Sequence, residues 1–303
     1  MKQPYIGICD FTTAKQVYKM GEEVTKTSGG DDLKRENMTP RKLMVGIMMS
    51  YKTLNGIPSK WEKIWPAKET IKDIFFEKKH PYLNTIHYAD YSGINILENL
   101  IKVFNYGDEE CELDAIQLDM VWPNPEEIKK FKDETYNEYP RLSSYSEGWI
   151  KSMNPPLPLQ LILQINPTAF EQIDNSPEKL INKLSDYNDS LDYILLDKSA
   201  GIGKPLNANE LRPYIEILSE KRPDLGIAVA GGLGPNSLHL LEPLLKDYPD
   251  LSIDAQSQLR VSGDATEPIN WTSARIYIDE ALNVFEKCAR IHKAKQSIKI
   301  KYV

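Results

Sequence analysis

The stretch that best indicates the fold is YILLDKSAGIGKPLNANELRPYIEILSEKRPDLGIAVAGGLG, residues 193–234. It begins with a run rich in Ile and Leu, Tyr193 to Asp197, and it ends with a second apolar run, Ile227 to Ala230. Between these runs, apolar residues recur at helical spacing over 211–218. A strand, a helical crossover and a second strand predict two parallel strands joined through a helix.

This unit recurs along the chain, and eight strand-like runs are present. They are Tyr5 to Cys9, Leu43 to Met49, Asn84 to Ala89, Ala115 to Asp119, Leu159 to Ile165, Tyr193 to Asp197, Ile227 to Ala230 and Leu251 to Ala255. Apolar stripes predict helices at Ile94, Leu97, Ile101 and Phe104, at Leu211, Ile215 and Leu218, at Leu238, Leu241 and Leu245, and at Ile278, Leu282, Phe285 and Ala289. Eight units at intervals of about 25 to 45 residues favour a closed (β/α)8 TIM barrel over an open doubly wound sheet.

Two connections between the predicted strands are long and contain Pro and Trp. They run from Lys52 to Tyr82 after the second strand and from Asp133 to Pro158 after the fourth. Because the strand pattern resumes after each, we interpret them as insertions in one barrel domain that covers residues 1–303.

The composition excludes several classes of protein. With 37 Lys and Arg against 44 Asp and Glu, the net charge of −7 argues against a nucleic-acid partner. The N-terminus lacks the features of a signal peptide, and no run reaches the ~18 consecutive apolar residues of a membrane span. The three cysteines are odd in number and far apart, which fits neither a disulfide framework nor a thiolate metal cluster. We therefore expect a soluble cytoplasmic protein.

Polar residues that follow the strands are the candidates for chemistry, because catalytic groups of such barrels lie where strands end. Four of them are carboxylic acids, Asp10, Asp90, Asp119 and Asp197. An Asp in this position also commonly caps the next loop by accepting backbone N–H bonds, so each has an ordinary structural alternative.

A glycine pair indicates an anion site. Gly231 and Gly232 follow the seventh predicted strand, and Pro235 suits the first position of the next helix. Glycines allow backbone N–H groups to approach an oxyanion, and in barrels the loops after strands seven and eight commonly bind phosphate. A plain tight turn is the alternative.

Three segments together resemble the phosphoribosylanthranilate isomerase family of the tryptophan pathway. Ile8-Cys9-Asp10-Phe11-Thr12-Thr13 is similar to its Ile-Cys-Gly-(Ile/Leu)-Thr. Leu195-Leu196-Asp197, followed by Gly201-Ile202-Gly203-Lys204-Pro205-Leu206-Asn207, is similar to its Leu-Leu-Asp and Gly-Thr-Gly-Lys-Thr-Phe-Asp. Ala230-Gly231-Gly232-Leu233-Gly234-Pro235 is similar to its Ala-Gly-Gly-Leu-x-Pro phosphate loop.

The resemblance implies an aldose-to-ketose isomerase that acts on a phosphosugar without a cofactor. It places Cys9 on the catalytic base and Asp197 on the general acid. The phosphate and substrate contacts that it implies are Gly203, Lys204, Gly231, Gly232 and Ser257. For these roles Asp197 must hold a proton at neutral pH. Cys9 must have a lowered pKa, which nearby amides or Lys204 would favour.

The chain also departs from the family pattern. The family's His-Gly after the fourth strand is Asp119-Met120 here, and Gln258 replaces a glycine after the eighth strand. The Arg that the family uses for the substrate's carboxylate is missing beyond strand two, where Lys52 offers a point charge without the planar fork of Arg. If Asp119 faces the same pocket, it repels an anionic aromatic ring.

Two other functions remain open. Asp10, Asp90, Asp119 and His87 are candidate ligands of a hard divalent ion in a metal-dependent lyase or hydrolase. His87 by itself is more typical of a core histidine than of a ligand. The third possibility is a barrel that binds a phosphosugar without converting it.

Overall fold

The chain folds into a closed barrel of eight parallel strands, paired in the order β1 to β8 with β8 returning to β1. The structure is a computed structural model that describes residues 2–28, 33–62, 64–75, 82–108, 113–137, 159–199, 205–264 and 267–301. The strands are β1 (Tyr5–Ile8), β2 (Lys42–Ser50), β3 (Tyr82–Ala89), β4 (Ala115–Asp119), β5 (Gln160–Ile165), β6 (Tyr193–Asp197), β7 (Gly226–Ala230) and β8 (Ser252–Ala255). The predicted (β/α)8 TIM barrel is therefore confirmed.

Helices connect the strands around the outside of the barrel. They are α1 (Ala14–Ser28), α2 (Tyr51–Leu54), α3 (Ile71–Ile74), α4 (Ile96–Asp108), α5 (Pro125–Asn137), α6 (Pro167–Gln172), α7 (Pro177–Leu184), α8 (Ala208–Lys221), α9 (Glu242–Leu245) and α10 (Trp271–Lys301). Asn166 caps α6 and Ser176 caps α7, each by accepting a backbone N–H, and Pro occupies the first turn of both helices. No helix in the described ranges is long and apolar enough to cross a membrane.

Side-chain alternation along the strands forms two apolar layers. One layer lies between the sheet and the helices, and its strand residues include Ile86, Leu118 and Leu196. The other fills the barrel interior and includes Tyr5, Cys9, Met44, Met48, Leu83, Ala115, Ile162, Tyr193, Leu195 and Ala228. Because residues i and i+2 share a face of a strand, interior positions continue upward into polar residues at the C-terminal strand ends.

Arg41 joins the opposite end of the barrel. It precedes β2, is fully buried, and donates hydrogen bonds to the carbonyls of Leu251 (2.6 Å) and Pro249, just before β8. Its guanidinium also lies 3.5 Å from the centre of the Phe285 ring of α10. These contacts connect the N-terminal ends of two strands to the last helix.

Three of the four predicted apolar stripes face the core as expected. The stripe of α4 is only partly confirmed: Phe104 is buried and Leu97 and Ile101 pack half-buried against the core, but Ile94 precedes the helix and is exposed. The other buried residues of this helix are Ile96, Leu100 and Val103. Asn99 also lies on the buried side. The neighbouring elements decide which face of α4 is buried, and the apolar pattern of one helix contains no information about them.

The two predicted insertions differ in how much of each the structure describes. After β2, the chain forms α2, a 3₁₀ turn at Lys68–Thr70 and α3, and it packs Trp65 against the interior apolar layer. After β4, residues 133–137 continue α5 rather than beginning an insertion, and residues 138–158 lie outside the described part of the chain.

Candidate active site

A cavity of about 240 Å³ opens at the C-terminal ends of the strands, where active sites of such barrels lie. All eight strands, or the residues directly after them, contribute to its lining. Strand alternation explains the choice of residues, because Gln117 and Asp119 of β4 face inward together, as do Leu195 and Asp197 of β6.

Cys9, His87 and Asp254 line the cavity together and are all buried. The Cys9 Sγ atom lies 3.6 Å from His87 Nδ1 and 3.4 and 3.5 Å from the two carboxylate oxygens of Asp254. Two glycines, which have no Cβ, leave space for the side chains of this cluster. A Cβ at Gly46 would lie 3.1 Å from the sulfur, and one at Gly7 would lie 2.7 Å from Asp254 Oδ1.

The electrostatics of this cluster differ from the expectation for Cys9. Burial, followed by the nearby carboxylates of Asp254 and Asp10, raises the pKa of the Cys9 thiol well above its usual value. Burial also raises the pKa of Asp254 to about 6. Among the described residues the pKa of Cys9 is thus raised and not lowered, because burial and two carboxylates outweigh the positive charge of Arg260. Lys204, which was expected to lower it, lies outside the described residues.

Asp197 lies on the β6 wall of the cavity. Its Oδ1 accepts hydrogen bonds from the backbone N–H and the hydroxyl of Ser199 (2.8 and 2.6 Å), and its Oδ2 accepts one from Gln164 Nε2 at 3.0 Å. Asp197 thus performs the loop-capping role that was the structural alternative, and it faces the cavity as well. Asp90 also caps its loop, through Ser92, but does not line the cavity.

A chain of amide side chains connects the two sides of the site. Gln117 Nε2 lies 3.3 Å from each ring nitrogen of His87 and donates to Gln164 Oε1 at 3.1 Å. Gln164 in turn donates to Asp197. The chain crosses four neighbouring strands, β3 to β6, and it fixes His87 relative to Asp197.

The predicted phosphate loop lies at the same mouth. Gly231 and Gly232 adopt φ values of 118° and 58° and line the cavity together with Ser257, which begins a 3₁₀ turn after β8. Ser237 holds the loop, because its hydroxyl donates to the Gly232 carbonyl at 2.7 Å and accepts from the Gly234 N–H at 2.9 Å. The predicted contacts Gly203 and Lys204 lie outside the described residues.

Asp119 occupies the far wall of the cavity. It accepts hydrogen bonds from the Tyr91 hydroxyl at 2.5 Å and from Asn166 Nδ2 at 3.2 Å. Lys52, predicted to bring a positive charge to the substrate, is instead exposed on α2 and does not line the cavity. Among the described lining residues none is Lys or Arg, so an anionic group at this wall has no cationic partner there.

The ligand set of the metal-dependent alternative is not brought together. Asp10 forms a buried ion pair with Arg260 and accepts from Gln256, and Asp90 caps its own loop. Within the described ranges, the one compact group of three His, Cys, Asp or Glu side chains is Cys9, His87 and Asp254.

Two residues of the site, His87 and Asp254, were not predicted as site residues of the isomerase. Both face the cavity from within a strand: His87 lies two residues before the end of β3, and Asp254 lies one residue before the end of β8. A search for polar residues at inward positions, rather than only after strands, is the signal that would find them.

No family model matches the chain, and no curated protein matches its sequence. The relationship to phosphoribosylanthranilate isomerase therefore stays a prediction from three motifs, and what the structure establishes is a (β/α)8 barrel with a cavity at the C-terminal ends of its strands.

Proposed function

We propose that the protein is a cofactor-independent isomerase that converts a phosphorylated N-glycosylamine into the corresponding aminoketose. Cys9 is the base and Asp197 is the acid. The observation that carries this proposal is that both side chains line one cavity from strands β1 and β6, three places apart around the barrel. Such a rearrangement needs two groups that reach different substrate atoms at once.

The reaction requires only proton transfers. Asp197 donates a proton to the sugar ring oxygen, the bond from this oxygen to C1 breaks, and a protonated imine forms. Cys9 then removes the proton from C2, which gives an enolamine. Return of a proton to C1 and loss of the hydroxyl proton at C2 complete the ketose, so no oxidant or reductant is consumed.

The neighbours of Cys9 provide a path for its proton. Burial and the neighbouring carboxylate of Asp254 raise the pKa of the Cys9 thiol, which favours its protonated form. His87 Nδ1 at 3.6 Å and Asp254 Oδ1 at 3.4 Å are the groups that can accept this proton before the sulfur acts on C2. The base is therefore a unit of three side chains rather than an isolated thiolate.

The orientation of the substrate follows from the two ends of the cavity. Gly231, Gly232 and Ser257 offer a phosphate site after β7 and β8. The aglycone then points toward Asp119 on β4, on the opposite side of the barrel. Because a carboxylate on the aglycone would meet Asp119, we propose an aglycone that carries N–H or O–H donors instead of the benzoate of anthranilate.

The test is turnover of synthetic N-(5-phosphoribosyl)arylamines that carry a carboxamide or aminomethyl group. Product formation is followed by NMR in D₂O, where deuterium enters at C1. Cys9→Ser and Asp197→Asn are expected to lower kcat by about 10²–10⁴-fold, whereas Cys288→Ser, at a buried thiol in α10, should not change it.

Two results would contradict the proposal. If the wild type binds these compounds without turnover, the protein is a phosphosugar-binding barrel. If turnover survives in a folded Cys9→Ser variant, the base is a different group.

A further inference from the structure

We infer that Cys9, His87 and Asp254 form a binding site for a zinc-type divalent ion at the floor of the cavity. Their ligand atoms lie within 4.8 Å of one another, and all three side chains are buried. They come from three separate elements: the end of β1, β3 and β8. The parallel barrel thus brings together a sulfur, a nitrogen and an oxygen ligand that are far apart in the sequence.

The spacing of these atoms fits tetrahedral zinc. With Zn–S of about 2.3 Å and Zn–N or Zn–O of about 2.0–2.1 Å, tetrahedral angles place the sulfur about 3.5–3.6 Å from the other two ligand atoms. The observed distances from Cys9 Sγ are 3.6 Å to His87 Nδ1 and 3.4 and 3.5 Å to the Asp254 oxygens. These two distances suit one tetrahedral ion, and the ligand atoms of His87 and Asp254 lie within 4.8 Å of each other.

The chemistry of the ligands selects the class of ion. A thiolate and an imidazole prefer zinc or a late first-row ion over Mg²⁺ or Ca²⁺, which prefer oxygen ligands. A divalent charge also balances the thiolate of Cys9 and the carboxylate of Asp254. Among the described residues that line the cavity, no Lys or Arg supplies that balance.

The fourth coordination position would face the cavity, since all three ligands line it. Three protein ligands with one open position are typical of a catalytic rather than a structural zinc site. This inference goes beyond the proposed isomerase and does not depend on it. A Cys9 sulfur that is bound to the ion cannot also accept the proton from C2 of the substrate. The metal-bound protein is therefore expected to lack isomerase activity.

The experiment is a titration of the chelator-treated, full-length protein with CoCl₂. We expect one equivalent to produce a thiolate-to-cobalt charge-transfer band and the intense visible bands of tetrahedral Co²⁺, and ZnCl₂ to abolish both. Cys9→Ser should lose the charge-transfer band and His87→Gln should weaken binding. Cys288→Ser, which removes the other described free thiol, should keep the full spectrum.

A second measurement covers the case in which a variant folds poorly. ZnCl₂ should raise the Tm of the wild type and of Cys288→Ser but not that of Cys9→Ser. The absence of a charge-transfer band in the wild type, or its persistence in Cys9→Ser, would overturn the metal site. Failure of the isomerase is distinguishable, because a protein that gives the cobalt spectrum on titration but no turnover in its metal-free form contradicts only the proposed function.

Discussion

The buried ion pair between Asp10 and Arg260 gives the sharpest test of how the mouth of the barrel is held together. The two side chains are 3% and 1% exposed and join the loop after β1 to the loop after β8. Gln256 donates a further hydrogen bond to Asp10 Oδ2 at 3.0 Å, and Arg260 also donates to the Glu267 carbonyl. Asp10 has a φ of 73°, a conformation that Asn also tolerates. The substitution Asp10→Asn therefore removes the charge with little change of shape.

The expected cost follows from the burial of the pair. Removal of one partner leaves Arg260 charged and buried, which costs about 3–5 kcal/mol in the free energy of unfolding. With an unfolding entropy of about 2.1 cal/mol/K per residue, this lowers the Tm of the 303-residue chain by roughly 5–8 °C. Arg260→Met should cost a similar amount, because it leaves a buried carboxylate without its cation.

The assay is urea unfolding followed by circular dichroism for the wild type, the two single variants and the double variant. Because replacement of a whole buried pair is often nearly neutral, we expect the double variant to be much more stable than the sum of the single effects predicts. Additive losses, or a loss below about 1 kcal/mol for Asp10→Asn, would show that the pair is not the interaction that connects the two loops.

Three further predictions concern the site and the surface. Gly46→Ala should lower kcat, and it should lower the free energy of unfolding by about 1–3 kcal/mol, because its Cβ would lie 3.1 Å from Cys9 Sγ. Activity assays and urea unfolding measure these two effects. An unchanged kcat would contradict the close approach. Asp119→Asn should change the ratio of the two Kd values about tenfold in favour of a 2-carboxyaryl over a 2-carbamoylaryl aglycone, relative to the wild type, and calorimetry measures both Kd values. If this ratio does not change, Asp119 does not contact the aglycone. Lys287 donates to Glu242 and lowers the pKa of this carboxyl from 4.5, so their interaction stabilises the fold above that pH and is lost as the pH falls through the lowered pKa. Lys287→Met should therefore lower the Tm slightly near neutral pH and leave it unchanged in strong acid, as thermal unfolding at both pH values can show.

The barrel itself could be predicted because its strands repeat a simple pattern. Each strand is a short, mostly apolar run, and position at a strand end or directly after it brought Cys9, Asp119 and Asp197 to one cavity. Gly231, Gly232 and Ser257 follow the same rule at the last two strands. These residues could be assigned to a common edge without knowledge of any contact, since all parallel strands end on the same side.

The features that could not be predicted depend on contacts between elements that are distant in the sequence. The raised pKa of Cys9 results from burial and from Asp254, 245 residues away, and no local pattern contains that neighbour. Lys52 was selected by its position after β2, but α2 begins there and leaves its side chain exposed. The amide chain from Gln117 to Asp197 likewise exists only once the strands are side by side.

The contacts of the buried Arg41 lie at the end of the barrel opposite the cavity, so stabilising contacts and the candidate site are partly separated. At this end, Arg41 connects the start of β2 to the residues before β8 and to α10, through main-chain carbonyls and one aromatic ring. Substitutions of the residues that line the cavity, outside the Asp10–Arg260 pair, therefore leave the contacts of Arg41 unchanged. Such a chain can exchange one ligand preference for another, by natural drift or by laboratory selection of loop libraries, with a smaller risk of misfolding.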